Sequence, residues 1–425
     1  MVVTVSGLAT GVALLGVFAL SGGRIALAQA PADAVEAQPA DESFELPAIE
    51  LHGFVSQGAF LSTDNDYLGY SERGTFEFLE AAVNASSEVA DRMRVGVQLF
   101  TRDLGPIGNY TLALDWAYLD YRFRDWLALR AGRIKIPFGL YNEFSDIDAA
   151  RLQILLPQSV YSSRNRDILL AHTGFSLHGT AGLRGAGALD YQLMAGALFV
   201  DPGTNALVVE GPVELDAVDT KYIAGGQLFW RTPVSGLRVG ASFMHTNLAF
   251  HFSVDSLTRM QLVMLDVVPD DFDGTFIYGY RDMNLSIGSV EYLAGDWSFS
   301  AEYSRTTYRI YSTIPMLFPG NDQDSEAFYG MAAYRLSRWL ETGAYYSLFF
   351  ADADDRDGSG FPESHRAYQK DLAVTARFDV NDFWLWKLEG HYMDGTGDMI
   401  DPDPDDPDDL ARRWGFFLVK TTLTF

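Results

Sequence analysis

From residue 51 to its end, the chain alternates strictly between short and long connections. Strand-like runs of about 10–14 residues separate them, a length that crosses an apolar layer at a tilt. The short connections are 88–91, 123–125, 184–187, 232–236, 295–296, 337–338 and 379–382. The long ones are 62–74, 103–110, 138–171, 201–220, 249–280, 310–325, 351–365 and 394–410. Seven short and eight long make fifteen connections, and fifteen connections join sixteen strands. Tight turns at one end and loops at the other, with an even strand count, is the parity of an antiparallel barrel with both termini on one side. The expected fold is therefore all-β, a 16-stranded antiparallel transmembrane barrel.

Side chains within the runs alternate with a period of two. Met93, Val95, Val97 and Leu99 lie opposite Arg94, Gly96 and Gln98. Trp297, Phe299, Ala301 and Tyr303 lie opposite Ser298, Ser300, Glu302 and Ser304. Leu372, Val374, Ala376 and Phe378 lie opposite Asp371, Thr375 and Arg377. In the last run Phe417, Val419, Leu423 and Phe425 share a face with Thr421, against Lys420, Thr422 and Thr424. Strand geometry sends such sets to opposite faces, so the apolar sets are expected to meet lipid and the polar sets a wet lumen. A soluble sandwich also alternates, but rarely keeps charges on the second face strand after strand. Tyr121, Phe123, Trp126, Trp230, Trp297, Trp339, Phe383, Trp384, Trp386 and Phe425 crowd the short-turn ends, as an interfacial girdle does.

A soluble chain of 425 residues would divide into two or three domains, whereas a large barrel is one. Residues 8–20 are almost wholly apolar, and Ala26-Leu27-Ala28 forms a small-x-small cleavage site. The reading is a signal peptide over 1–28, a Pro- and Ala-rich periplasmic lead-in over 29–48, and the barrel over 49–425. No basic residue precedes the apolar run, so a signal anchor and an upstream start stay open. No later stretch reaches the roughly 18 apolar residues of a membrane helix. Cysteine is absent, which removes disulfides and thiol chemistry. The net charge of −26 argues against a nucleic-acid partner.

Residues 127–136 break phase, and a β-bulge near Ala131-Gly132 would bring Arg130, Arg133 and Lys135 to one face. The connection 138–171 is long enough to demand a function. Ser145 and Asp148 suggest a helix start, 149–156 the helix and Pro157 its stop. Between 90 and 170 there are 11 Lys+Arg and 9 Asp+Glu, or +2; the remainder holds 20 against 48, or −28. Arg94, Arg102, Arg130, Arg133, Lys135, Arg151, Arg164 and Arg166 are the candidates for a basic pore constriction. Guanidinium groups in a narrow neck favour anions. Pairing with Asp115, Asp120, Glu143, Asp146 and Asp148, which would pin the loop to the wall, is an equal alternative. The acidic remainder opposes anion entry.

Asp398, Asp401, Asp403, Asp405, Asp406, Asp408 and Asp409 crowd one loop between prolines. Calcium at Asp401, Asp403 and Asp405 is a weak candidate beside a plain solvated loop, since the EF-hand Gly and Glu are missing. The seven histidines sit in no metal or nucleophile motif; His172 and His178 read as lumen or rim groups. Neither catalysis nor a cofactor is expected.

The stretch 130–143, with Pro157 and Tyr161 downstream, contains Gly132-Arg-Ile-Lys-Ile-Pro-Phe-Gly139. It resembles the G-x-x-x-x-P-F-G signature of phosphate-selective and dicarboxylate-type porins. The whole layout resembles the Gram-negative outer-membrane porin superfamily, and the terminal Phe425 resembles its assembly signal. The resemblance implies that the third long loop folds inward to narrow the barrel, and that the protein is an outer-membrane homotrimer, inserted by the barrel-assembly machinery among lipid and lipopolysaccharide. It implies passive diffusion of small hydrophilic solutes or ions, with Glu143, Asp146 and Asp148 joining the basic residues along the ion path. An adhesin or receptor barrel acting through its acidic loops is the alternative, and a barrel enzyme a more distant one.

Overall fold

Fifteen connections do join sixteen strands. The computed structural model describes residues 47–105, 107–200, 213–399 and 410–425. The first eight strands are β1 Ile49–Ser62, β2 Leu79–Ala90, β3 Met93–Asp103, β4 Ala113–Arg124, β5 Leu127–Lys135, β6 Ala171–Gly182, β7 Ala188–Ala197 and β8 Val213–Arg231. The others are β9 Leu237–Val254, β10 Thr275–Ala294, β11 Trp297–Ser312, β12 Asp322–Ser337, β13 Leu340–Phe350, β14 Tyr368–Asn381, β15 Trp384–Gly395 and β16 Arg413–Thr424. Two short helices lie in loops, α1 Arg166–Leu169 and α2 Ser256–Met264. Every strand pairs antiparallel with its sequence neighbours, and β1 closes on β16. Closure removes the sheet edges that lipid could not hydrate. Phe425 completes it: its N–H donates to Gly53 O and its carbonyl accepts from Gly53 N–H, both at 3.0 Å.

The signal peptide, most of the lead-in, and Asp401, Asp403 and Asp405 lie outside the described residues. Among the described residues no helix is long and apolar enough to cross a membrane. The turns fall where the punctuation places them. The long connections are shorter than expected around β8 to β10, because these strands run 18 to 20 residues and continue past the expected loop starts.

The outward face is the expected one. Val97, Leu99, Phe299, Tyr303, Leu372 and Val374 are exposed, and all ten girdle aromatics are 36 to 60% exposed. The inward face differs from a water-lined wall. Two large apolar clusters fill much of it: Phe250, Leu285, Ile287 and Tyr329 on one side, Phe60, Trp414, Phe416 and Leu418 on the other. Residues of the 138–171 loop belong to both, so the inward sets meet protein as well as solvent.

The expected bulge at Ala131-Gly132 is absent. β5 pairs with β6 without a slip from Ala128↔His178 to Lys135↔Ala171. Gly132 instead takes φ 128°, and a Cβ there would come within 2.3 Å of Ala117 O. The two-against-one register lies one strand earlier, where Asp115 is the extra residue between the pairs Gln98↔Trp116 and Leu99↔Leu114.

Candidate functional site: the loop inside the barrel

The third long loop, here L3, covers residues 136–170 between β5 and β6. Its apolar side chains dictate that it leaves water: Ile136, Phe138, Leu140 and all of residues 151–158 are buried. A buried loop must find partners for its backbone polar groups, and it takes them from the barrel wall.

The entry turn is held on the far wall. Gly139 N–H donates to Ser242 Oγ on β9 at 3.0 Å, and Gly139 O accepts from Gln227 Nε2 on β8 at 2.6 Å. Leu140 N–H donates to Glu302 Oε1 on β11 at 2.8 Å. Glu302 also accepts from the hydroxyls of Tyr161, Tyr329 and Ser289, so its buried charge is fully ligated. Gly139 has φ 57°, and a Cβ would lie 2.2 Å from the Tyr161 hydroxyl. The Pro-Phe-Gly of the motif is thus a left-handed turn seated against the downstream Tyr161.

The middle of the loop is held by a charge cluster. Asp148 is fully buried; its Oδ1 lies 3.0 Å from Lys387 Nζ and 3.2 Å from Lys420 Nζ, and its Oδ2 accepts from Thr422 Oγ1 at 2.7 Å. Burial alone would raise this carboxyl, but the Lys387 and Lys420 ammonium groups outweigh it and hold it well below the usual carboxylate range. Lys387 Nζ also donates to Asp148 O at 2.6 Å and Gln153 O at 3.2 Å. Lys420 pairs in addition with Glu80 on β2. Further on, Ile154 and Leu155 donate their N–H groups to the two oxygens of Glu389, each at 2.8 Å. Arg377 Nη1 donates to Ala149 O at 2.7 Å, and Ser347 Oγ to Ser159 Oγ at 2.6 Å.

These contacts explain why 149–156 is not the expected helix. Short 3₁₀ turns occupy Asn142–Phe144 and Asp148–Ala150, after which Arg151 is extended. Ser145 closes the Asn142–Phe144 turn, its hydroxyl donating to Asn142 O, instead of starting a helix. The Ile154 and Leu155 amides are spent on Glu389, the Ala149 carbonyl on Arg377 and the Gln153 carbonyl on Lys387, so wall contacts take the place of helical bonds there. The α-helical segment of L3 is α1, at its exit, and a single i→i+4 turn closes from Tyr161 N–H to Pro157 O at 2.9 Å.

The eleven residues expected along an ion path divide into three places. Arg94 stands beside the first short turn, 2.9 Å from Glu50, at the rim and away from L3. Arg130, 2.8 Å from Asp120, and His178, also 2.8 Å from it, form a cluster below the loop. The rest touch L3, its footing or a neighbouring loop. Lys135 pairs with Asp146 and donates to Glu143 O at 2.8 Å, while the Glu143 side chain is exposed. Arg133 Nε donates to Asp115 O at 3.1 Å, and Arg166 pairs with Asp115 at 2.9 Å while lying 4.0 Å over the Phe100 ring. Arg102 donates to Ser163 O at 2.9 Å, Arg151 to Gln153 O at 2.8 Å, and Arg164 lies 3.5 Å from Asp398. Arg102, Arg151 and Arg166 line one small cavity of about 60 Å³ with Glu80 and Asp146. Lys387, Glu389, Lys420, Glu80 and Glu302 were not among the expected site residues. Their signal was present: Lys387, Glu389 and His391 repeat at every second position of one strand, a charged inward face beneath an aromatic outward one.

No protein family description and no curated protein matches the chain. Solved structures do. OmpT of Vibrio cholerae is 11% identical, covers 90% of this chain and 98% of its own, and superposes with a TM-score of 0.54. The anion-selective porin from Comamonas acidovorans is 10% identical over 89% of this chain and all of its own, again at 0.54. The chain has the porin fold. The outer membrane channel DcaP of Acinetobacter baumannii shares that fold at 12% identity over 89% of this chain and 97% of its own, with a TM-score of 0.50. At such identities the likeness speaks for the barrel and not for what passes through it.

Proposed function

We propose that this barrel is an outer-membrane channel for passive diffusion of small hydrophilic solutes and ions, with L3 setting its bore. The observation that carries this reading is the attachment of L3. Its longest-range hydrogen bonds reach β8, β9, β11, β13, β14, β15 and β16, so the loop is a fixed constriction inside a closed wall. A folded loop in a lumen narrows the path without needing a conformational cycle. On this reading the cations expected along the ion path serve mostly as anchors of the loop. The lining of the small cavity beside L3 still holds three guanidinium groups against two carboxylates, a formal surplus of +1. A weak anion preference follows from that surplus. Arg94 and Arg130 act in the vestibule below, and Asp148 as the loop's tether. We place the protein as a homotrimer in the outer membrane, in keeping with the trimer form among the similar structures.

Single-channel recording in a planar bilayer under a KCl gradient tests the proposal. Stepwise conductance with closures in threes and a reversal potential on the chloride side is expected. A potassium-side potential would overturn the anion preference. One observation favours a second reading, a plugged receptor barrel: residues 151–158 are buried throughout, with Leu156 in one inward apolar cluster and Ile154 and Leu155 in the other. Folded protein that never conducts would select it.

A further inference from the structure

A separate cavity of about 240 Å³ lies between L3 and the wall of β9 to β13, toward the long-loop ends of those strands. Its chemistry differs from that of the charged neck. Aromatic rings of Phe250, Tyr280 and Tyr308 line it and touch in series, with centroids 5.7 and 4.8 Å apart and interplanar angles of 80° and 66°. Phe138 and Phe349 add two more rings, and Leu248, Leu285 and Ile168 add aliphatic surface. Short neutral polar groups complete it. The hydroxyls of Ser304, Thr306 and Ser325 face this space and make no hydrogen bond to another described residue, although Ser304 is only 5% exposed. No Lys or Arg lines it among the described residues. Its two acids already have partners: Glu326 accepts from Tyr303 Oη at 2.6 Å and pairs with Arg356, and Asp398 faces Arg164.

We propose that this cavity is a binding site for a neutral, single-ring aromatic compound carrying hydroxyl or carbonyl groups. Rings packed edge to face offer an aromatic ligand the tilted geometry that ring quadrupoles favour. A mostly apolar pocket with a few convergent polar groups is the usual form of a small-molecule site. The free hydroxyls supply hydrogen bonds for the ligand's substituents. A carboxylate or ammonium on the same ring finds no spare counter-charge there, and burying it unpaired is costly. The volume suits one ring. This site does not depend on whether the barrel conducts.

Met283 lines the cavity and supplies the probe. Protein labelled with ¹³C at the methionine methyls is reconstituted in lipid nanodiscs and titrated with benzyl alcohol, benzoate, benzylammonium and glucose. The Met283 resonance, assigned with Met283→Leu, is expected to shift saturably with benzyl alcohol. At least tenfold more benzoate, benzylammonium or glucose is expected for the same shift. Folded Thr306→Phe protein, which fills the cavity, should lose the response. An unmoved Met283 resonance overturns the site, and equal responses to the charged analogues or to glucose overturn the ligand class.

Discussion

Replacing Asp148 with Asn should loosen L3 without opening the barrel. The carboxylate is fully buried and faces two buried ammonium groups at 3.0 and 3.2 Å. Removing one partner of a buried pair costs about 3–5 kcal/mol, because the charge left behind is uncompensated. Here Lys420 keeps Glu80, and Lys387 keeps two carbonyls, so the low end applies. About 3 kcal/mol corresponds to roughly a hundredfold rise in the population of the detached loop. The Ile154 and Leu155 amides report it directly, since both donate to Glu389 only while the loop is seated. Hydrogen exchange at these two sites should therefore accelerate about a hundredfold, with β1 to β16 unchanged, because local opening exchanges separately from global unfolding. Acceleration below about threefold would refute the view that the Asp148 cluster tethers the loop. Equal acceleration in the strands would show that the barrel itself had weakened.

Other perturbations follow from the same geometry. Glu389→Gln weakens two charge-assisted bonds, each worth about 1.5–3 kcal/mol, and should speed exchange over 151–158 while sparing 139–141. Gly139→Ala forces a Cβ to 2.2 Å from the Tyr161 hydroxyl at φ 57°, so the entry turn must move; single-channel recording should show a changed conductance level or added noise. Arg94→Ala removes a half-exposed rim pair and should change thermal stability by less than about 1 kcal/mol, read from the temperature at which electrophoretic mobility shifts. The Asp148 carboxyl is depressed in the folded state, so its contribution is complete above the ordinary carboxylate value and fades progressively as pH falls from there toward the lower folded value. Protection of Ile154 and Leu155, corrected for intrinsic exchange, should hold between pH 7 and about 5.

The barrel was legible because its constraint is local and repeated. Outward residues such as Phe299, Val374 and Phe417 announce themselves by period two, and turns such as 295–296 by their position between periodic runs. The loop was legible only as a length. Its structure depends on pairs distant in sequence, Asp148 with Lys387 or Leu140 with Glu302, which no local pattern reveals. That is why Ser145 and Pro157 suggested a helix over 149–156, whose amides instead bond to Glu389. The inward apolar clusters were missed for a related reason. Phe60, Leu285 and Leu418 are inward positions that a wet lumen would leave polar, and they are apolar because they pack in clusters that L3 and other loops help to build. The arginines were found by charge alone, and charge does not say whether a guanidinium faces solute or carboxylate. Arg166 on Asp115 and Arg130 on Asp120 show the second outcome.

If L3 sets the bore of the barrel, its removal must widen the path. The most direct test compares single-channel conductance of the native chain with that of a variant in which residues 140–167 are replaced by a short Gly-Ser link. Both proteins must first show the mobility shift of a folded barrel. A several-fold larger conductance step is expected in the variant. Equal steps in the two proteins would place the constriction elsewhere and contradict it.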